Sequence, residues 1–130
     1  MRTASVNKNH YEVSKFLMDY PFNTSQSGFG FLVKSITKVL DLNRERLKLG
    51  KDIYEPLAKE CNVGLKQFER AIREALQTVS VNCCNDKGRV YPSGMIKSAF
   101  EAPTAKSFIF AVVSQITLNR QSAKFKSSKR

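Results

Sequence analysis

The stretch DIYEPLAKECNVGLKQFERAIREAL, residues 52–76, decides the fold predicted for this chain. In its first part, Ile53, Leu57 and Cys61 recur every fourth residue, which makes one apolar stripe along a helix. The second part also repeats apolar residues at helical spacing: Leu65, Phe68, Ile72, Ala75, Leu76 and Val79. Two amphipathic helices in close succession are therefore predicted, with the small residue Ala58 where they cross.

A tight turn is expected between these two helices, because Asn62 and Gly64 bracket it and both types tolerate a left-handed backbone. At about 100° per residue, polar side chains gather opposite the second stripe. They are Lys66, Arg70, Arg73 and Gln77, with Gln67, Glu69 and Glu74 along the edges. This layout is typical of a helix-turn-helix, whose second helix, here about residues 64–78, enters the DNA major groove. The same pattern also fits a solvated surface helix.

The overall charge favours a polyanionic partner. Lys and Arg total 22 against 11 acids, a formal net charge of +11, which suits DNA, RNA or an anionic membrane surface. The alternative is charge that serves solubility alone. No apolar run approaches the roughly 20 residues of a spanning helix, and the N-terminal residues lack the apolar core of a signal peptide. We therefore expect a cytoplasmic protein with no membrane segment.

The chemistry-bearing residues do not indicate an enzyme. Cys61, Cys83 and Cys84 lack the spacing of a disulfide framework and are expected to be reduced. His10 is the only histidine and Cys-x-x-Cys is absent from the sequence, so no metal site is predicted. No nucleophile stands with a plausible base and no phosphate-binding loop is present, so we predict no catalytic residues and no cofactor.

Further helices are predicted on both sides of the central pair. A first helix carries Tyr11 and Tyr20 and ends at Pro21, and a second covers about residues 29–40. A linker follows, with Gly50 at its end and Asp52 at the start of the next helix. Residues 79–92 fit either the hairpin of a winged helix or a short helix. Residues 95–100 suggest one or two more helical turns.

The last helix is expected to begin at Thr104, a suitable N-cap. Phe108, Val112 and Ile116 make it apolar over a wide face, so we expect it to be the central buried helix that supports both helices of the pair. Residues 10–120 are thus predicted to form one domain, between a flexible N-terminus at 1–9 and a basic flexible tail at 121–130.

Three stretches resemble one family, the C-terminal DNA-binding domains of stage zero sporulation protein A, the response regulator of spore formation. The main one is KDIYEPLAKECNVGLKQFERAIREAL at 51–76, since the family has a closely similar run ending in Glu-Arg-Ala-Ile-Arg, here Glu69 to Arg73. PTAKSFIFAVVSQI at 103–116 and GFGFLVKSITKVL at 28–40 are similar to the family as well. The resemblance covers about residues 10–119.

This resemblance implies an all-α fold of about six helices with the helix-turn-helix in the middle, and a helix near residues 85–91. It implies control of transcription at short, often tandem DNA boxes, where the chain would form a homodimer and contact RNA polymerase. It also implies that Glu69, Arg70 and Arg73 read bases. Two departures from the family matter. The family protein begins with a phosphoacceptor receiver domain, for which these 130 residues have no room, so we expect either the effector domain of a longer protein or a stand-alone relative. In addition, Lys66, Gln67 and Glu74 differ from the family's Ser, Arg and His.

The expected mechanism divides the contacts between bases and phosphates. Lys66, Gln67, Glu69, Arg70 and Arg73 are the predicted base-reading residues. Either arginine can donate two hydrogen bonds to guanine, and Glu69 can accept one from cytosine. In the free protein, Glu69 is expected to pair with Arg73 one turn along the helix.

Lys51, Lys59 and Lys106 are the candidates for contacts with DNA phosphates, which fix register without carrying sequence information. The alternative function is that of a basic RNA-binding or ribosome-associated accessory protein. Such a protein is expected to expose aromatic rings for stacking on bases, whereas most of the nine Phe here lie on helical apolar stripes.

Overall fold

A computed structural model describes residues 2–43, 46–85 and 104–128, and in these ranges the chain folds into helices joined by turns. The α-helices are α1 (Arg2–Leu17), α2 (Ser27–Leu42), α3 (Glu55–Glu60), α4 (Leu65–Asn85) and α5 (Ala105–Ser128), and a π-helical segment (Leu49–Tyr54) runs directly into α3. The all-α prediction is confirmed. The expected number of about six is corrected to five α-helices within the described ranges, because the helical turns expected at 95–100 lie outside them.

The second helix of the pair is longer than predicted. It continues to Asn85, so residues 79–85 are helical and the hairpin alternative is wrong for this part. Val79 and Ser80 are completely buried, and the Asn82 side-chain amide donates to the Pro21 carbonyl at 2.9 Å. This burial on the extended apolar face outweighs the β propensity of the local sequence. The rest of the hairpin-or-helix segment lies outside the described residues.

The segment that leads into α3 also begins earlier than expected. Asp52 was predicted to start the helix, but helical backbone begins at Leu49 and contains Gly50, the expected end of the linker. The Asp52 carboxylate accepts a hydrogen bond from the Lys48 backbone N–H at 2.9 Å, while its own N–H donates to the Lys48 carbonyl at 2.7 Å. The Asp52 side chain therefore caps the backbone N–H of Lys48, the residue just before the π-helical segment.

Both ends of the described chain are helical, and the flexibility expected of residues 1–9 and 121–130 stays a prediction. Helix α1 begins at Arg2 and α5 continues to Ser128. The N-terminal end of α5 is the expected one, because the Thr104 hydroxyl accepts the Ser107 backbone N–H at 3.1 Å, which confirms Thr104 as the N-cap.

Helix α2, and not α5, is the central helix of the fold. It contacts each of the other four α-helices and the π-helical segment, and its interface with α4 is the most extensive among the helices that the structure describes. Leu32 and Ile36 are completely buried along it. The prediction that the helix-turn-helix packs mainly on the last helix is therefore wrong. Gly28 explains the difference, because its missing side chain lets the α2 backbone approach that of α4 closely at Ala71.

Helix α5 covers a second face of this core. Its apolar residues Phe108, Ile109, Val112 and Ile116 are buried as predicted. Near the other end of α5, Arg120 Nη2 lies 2.6 Å from Glu12 Oε1 of α1, and Nε is 3.1 Å from both carboxylate oxygens. This ion pair holds the pKa of the Glu12 carboxyl below its ordinary value, chiefly through the hydrogen bonds from Arg120. The pair therefore ties α1 to α5.

Candidate nucleic-acid interface

The turn between α3 and α4 has a defined hydrogen-bonded geometry. Val63 N–H donates to the Ala58 carbonyl at 2.9 Å, and Asn62 N–H donates to the Lys59 carbonyl at 3.1 Å. Asn62 itself is left-handed, with φ 59°. These features together form a Schellman motif, which satisfies the last carbonyls of α3 and fixes the direction of the chain.

The two residues predicted to bracket this turn have different roles. Asn62 is left-handed, as predicted. Gly64 brackets the turn on its other side without a left-handed φ. Its carbonyl accepts the Phe68 N–H at 2.9 Å and thereby starts α4.

Most of the apolar residues predicted to face the core of the helix-turn-helix are buried, whereas Cys61 and Leu65 are half-buried. Ile53, Leu57 and Ala58 are buried on the first side of the turn. On α4, the ring of Phe68 is completely buried and stacks on Phe31 of α2, with centroids 4.5 Å apart. Aromatic packing of this kind contributes about 0.5–1.5 kcal/mol beyond burial of the rings. Helix α4 is thus held in a fixed orientation on α2, with its polar face turned outward.

The five predicted base-reading residues lie together on that outward face. They line one shallow surface depression: Lys66, Gln67, Glu69, Arg70 and Arg73. Four of them are exposed, and Glu69 is half-buried. The depression therefore presents three cations, one carboxylate and one amide, which together can donate to and accept from base edges.

The ion pair on this face differs from the predicted one. Among the described residues, Arg70 Nε lies 3.8 Å from Glu74 Oε2, and the expected pair between Glu69 and Arg73 does not form. Glu69 lies instead on the side of α4 that faces Tyr54. Burial raises the pKa of Tyr54 to about 12, and the negative charge of Glu69 adds to the rise.

The pair between Arg70 and Glu74 is weak enough to exchange for a contact with DNA. Both side chains are largely exposed, at 71% and 62%. Exposed pairs one helical turn apart contribute only about 0.2–0.5 kcal/mol. Arg70 can therefore leave Glu74 at little cost.

The three predicted phosphate contacts are distributed along the edge of the helix-turn-helix. Lys51 and Lys106 line the same depression, between the π-helical segment and the start of α5, and Lys51 and Lys59 line the next one. Sequence reasoning missed Arg46 and Lys48, which line the first of these depressions with Lys51 and Lys106. The signal was present in the basic linker LNRERLKLGK at 42–51, but only folding places it beside Lys106.

These features define the class of the protein: a helical domain with a helix-turn-helix whose second helix presents a basic, solvent-exposed face. The chain belongs to the family described as Sporulation initiation factor Spo0A C terminal, whose model matches residues 13–116. Searches of curated proteins and of solved structures gave no significant match.

The family match fixes the general function. The family is that of a DNA-binding effector domain that regulates transcription in sporulation, and it is not an enzyme family. This chain is accordingly a DNA-binding regulatory domain. None of the helices in the described ranges has the length and apolar character needed to cross a membrane.

Proposed function

We propose that this chain regulates transcription by binding a specific double-stranded DNA sequence, with α4 in the major groove. One observation carries the proposal: all five candidate base-reading side chains share one depression on the exposed face of α4. The opposite face of the same helix is buried against α2. A recognition helix requires this combination, since its support must be rigid while its polar face remains open to the groove.

The side chains that line the depression are chemically suited to different bases. Arg70 and Arg73 each carry a planar fork of donors that matches the O6 and N7 atoms of guanine. Glu69 is the only acceptor with a negative charge in the depression, and it suits the amino group of cytosine. Lys66 and Gln67 lie in the first turn of α4, the part of a recognition helix that reaches deepest into the groove. The amide of Gln67 suits adenine.

Phosphate binding is assigned to the basic residues that flank the depression. Lys51 and Lys59 line the depression beside the start of α4, and Lys51 also lines the neighbouring depression with Lys106, at the start of α5. Arg46 and Lys48 add two further positive charges beside Lys51 and Lys106. Such contacts release counterions, so binding should weaken steeply with salt and should fix the position of α4 over the bases.

The partners implied by the family resemblance belong to this proposal as well. They are a second copy of the chain on tandem DNA sites and RNA polymerase, with the protein acting in the cytoplasm. Family membership supports these partners, and footprinting on paired sites tests the first of them.

The RNA-binding alternative finds less support in the structure. Among the residues whose side-chain exposure the structure describes, which leave out 83–103 and 124–130, Tyr11 is the only largely exposed aromatic, and it lies on α1. No aromatic residue lines the depression on α4, whereas single-stranded RNA is usually bound by stacking of its bases on exposed rings.

Selection of bound sequences from random duplex DNA, in the presence of non-specific competitor, tests the proposed function. We expect one enriched sequence motif, and we expect unrelated RNA to compete poorly for the protein. Equal retention of all duplexes would contradict sequence-selective binding. Displacement of the selected duplex by RNA at equal concentration would favour the alternative.

A further inference from the structure

Tyr54 carries a buried hydroxyl that lacks a hydrogen bond. The residue is 5% exposed, and among the described residues no group donates to its Oη or accepts from it. A buried hydroxyl without a partner destabilises a fold, and native proteins contain few of them. Phenylalanine would fill the same space without this cost, so the hydroxyl requires an explanation beyond packing.

Tyr54 lies behind the depression on α4 that the candidate base-reading residues line. Its ring lies 5.4 Å from the ring of Phe68, centroid to centroid. Glu69 follows Phe68 in α4 and is the half-buried member of the base-reading depression. Its carboxylate is close enough for its charge to act on the Tyr54 hydroxyl. An unpaired donor therefore lies behind the only acidic residue that lines the depression.

We propose that Tyr54 is a positioning residue for sequence recognition: in the DNA complex its hydroxyl donates to one carboxylate oxygen of Glu69, and the other oxygen accepts from a cytosine amino group. This inference rests on the proposed function. A carboxylate has acceptor sites for both donors at once. In the complex, one oxygen held by a hydroxyl on a rigid, buried ring keeps the other oxygen directed at the cytosine amino group.

DNA binding supplies the condition under which this hydrogen bond forms. A base pair over the depression excludes water, which strengthens hydrogen bonds to a charged acceptor. In the free protein Glu69 remains partly hydrated, which accounts for the unpaired hydroxyl.

The variant Tyr54→Phe separates this role from packing, because it keeps the ring and removes only the hydroxyl. Its melting temperature should equal or exceed that of the wild type, since an unsatisfied buried group is lost. Discrimination at one base pair, the one read by Glu69, should nevertheless fall about tenfold, as expected for a hydrogen bond to a charged group. A residue with a packing role alone would leave this discrimination unchanged.

The experiment measures affinities of the full chain for the selected duplex and for its single-base-pair variants. Tyr54→Phe and Glu69→Ala should relax preference at the same base pair, and the double variant should lose no more discrimination than Glu69→Ala alone. Tyr20→Phe is the matched control, because Tyr20 is also buried, at 4% exposed, and packs on Phe108 of α5. It should leave every preference unchanged.

The outcomes distinguish this inference from the proposed function. If Tyr54→Phe keeps full discrimination while Glu69→Ala loses it, the role of Tyr54 is overturned and sequence-selective binding stands. A uniform loss of affinity across all duplexes, or additive effects in the double variant, would likewise overturn it. If the wild-type chain discriminates between no duplexes at all, both proposals fail together.

Discussion

Replacing Gly28 with alanine tests whether the crossing of α2 and α4 holds the recognition helix. Gly28 is buried in the first turn of α2. A Cβ at this position would overlap the carbonyl oxygen of Ala71, and it would lie 2.6 Å from the carbonyl carbon and 2.9 Å from Ala75 Cβ. The overlapping atoms belong to the backbone, so no change of rotamer can relieve the clash. The two helices must instead move apart.

The expected size of the effect follows from this geometry. Ordinary carbon–carbon contacts lie near 3.5 Å, so the helices must separate by about 1 Å. Overpacking of a core costs about 1–3 kcal/mol, and a shift of two backbones belongs at the upper end. The higher helix propensity of alanine offsets at most about 1 kcal/mol of this loss of stability. We expect a net loss of about 2 kcal/mol, or a fall of about 7 °C in melting temperature for 130 residues.

Gly30→Ala is the matched control, because it lies in the same helix and a Cβ there would meet nothing within 4 Å. It should raise stability by up to about 1 kcal/mol. The assay is thermal and urea denaturation of both variants, with affinity for the selected duplex measured where both are folded. Equal stability of Gly28→Ala and Gly30→Ala would refute the argument that close packing at Gly28 fixes α4 on α2.

Three other perturbations test the interface and the fold. Arg70→Ala should cost about 1–3 kcal/mol on the selected duplex and relax preference at one base pair, whereas Lys59→Ala should weaken all duplexes about equally; a uniform loss for Arg70→Ala would make it a phosphate contact. Removal of residues 122–130 should lower affinity in binding assays without changing the selected motif, and a changed motif would show that the tail reads bases. Glu12→Gln should lower stability by no more than about 1 kcal/mol near neutral pH, because the pair with Arg120 is partly exposed. Because the pKa of Glu12 is lowered, the ion pair loses its stabilising effect as the pH falls below the ordinary value of 4.5 and through the lowered pKa. The wild type and Glu12→Gln should therefore become equally stable in acid, and a difference in stability that persists there would contradict the role of the pair.

The amino-acid sequence by itself determined the two faces of the helix-turn-helix. Periodicity is a local property of a helix, so the positions of Phe68 and Ile72 in the repeat were enough to predict burial, and that of Arg70 was enough to predict exposure. Local chemistry also predicted the left-handed Asn62 and the N-cap Thr104. These features depend on the residue and its near neighbours along the chain, and therefore need no knowledge of the tertiary fold.

Only the tertiary structure decided which neighbours these faces meet. An apolar stripe shows that a helix packs, but it does not name its partner, so α5 was predicted to be central where α2 is. The close approach at Gly28 is a contact across the sequence, and periodicity carries no signal of it. The continuation of α4 beyond Val79 likewise goes with tertiary features that periodicity did not predict, the burial of Ser80 and the hydrogen bond from Asn82 to Pro21.

The candidate site shows the same division. The sequence supplied the five residues of the α4 depression, since they share one face of a single helix. The grouping of Arg46 and Lys48 with Lys106 joins segments about sixty residues apart along the chain, and only folding creates it. The same is true of Tyr54: it falls within the stretch predicted to form the first helix of the pair, but its unpaired hydroxyl and its contact with Phe68 arise from the packing of one helix on another. Side-chain partners across the core are set by three-dimensional proximity, which a one-dimensional pattern does not encode.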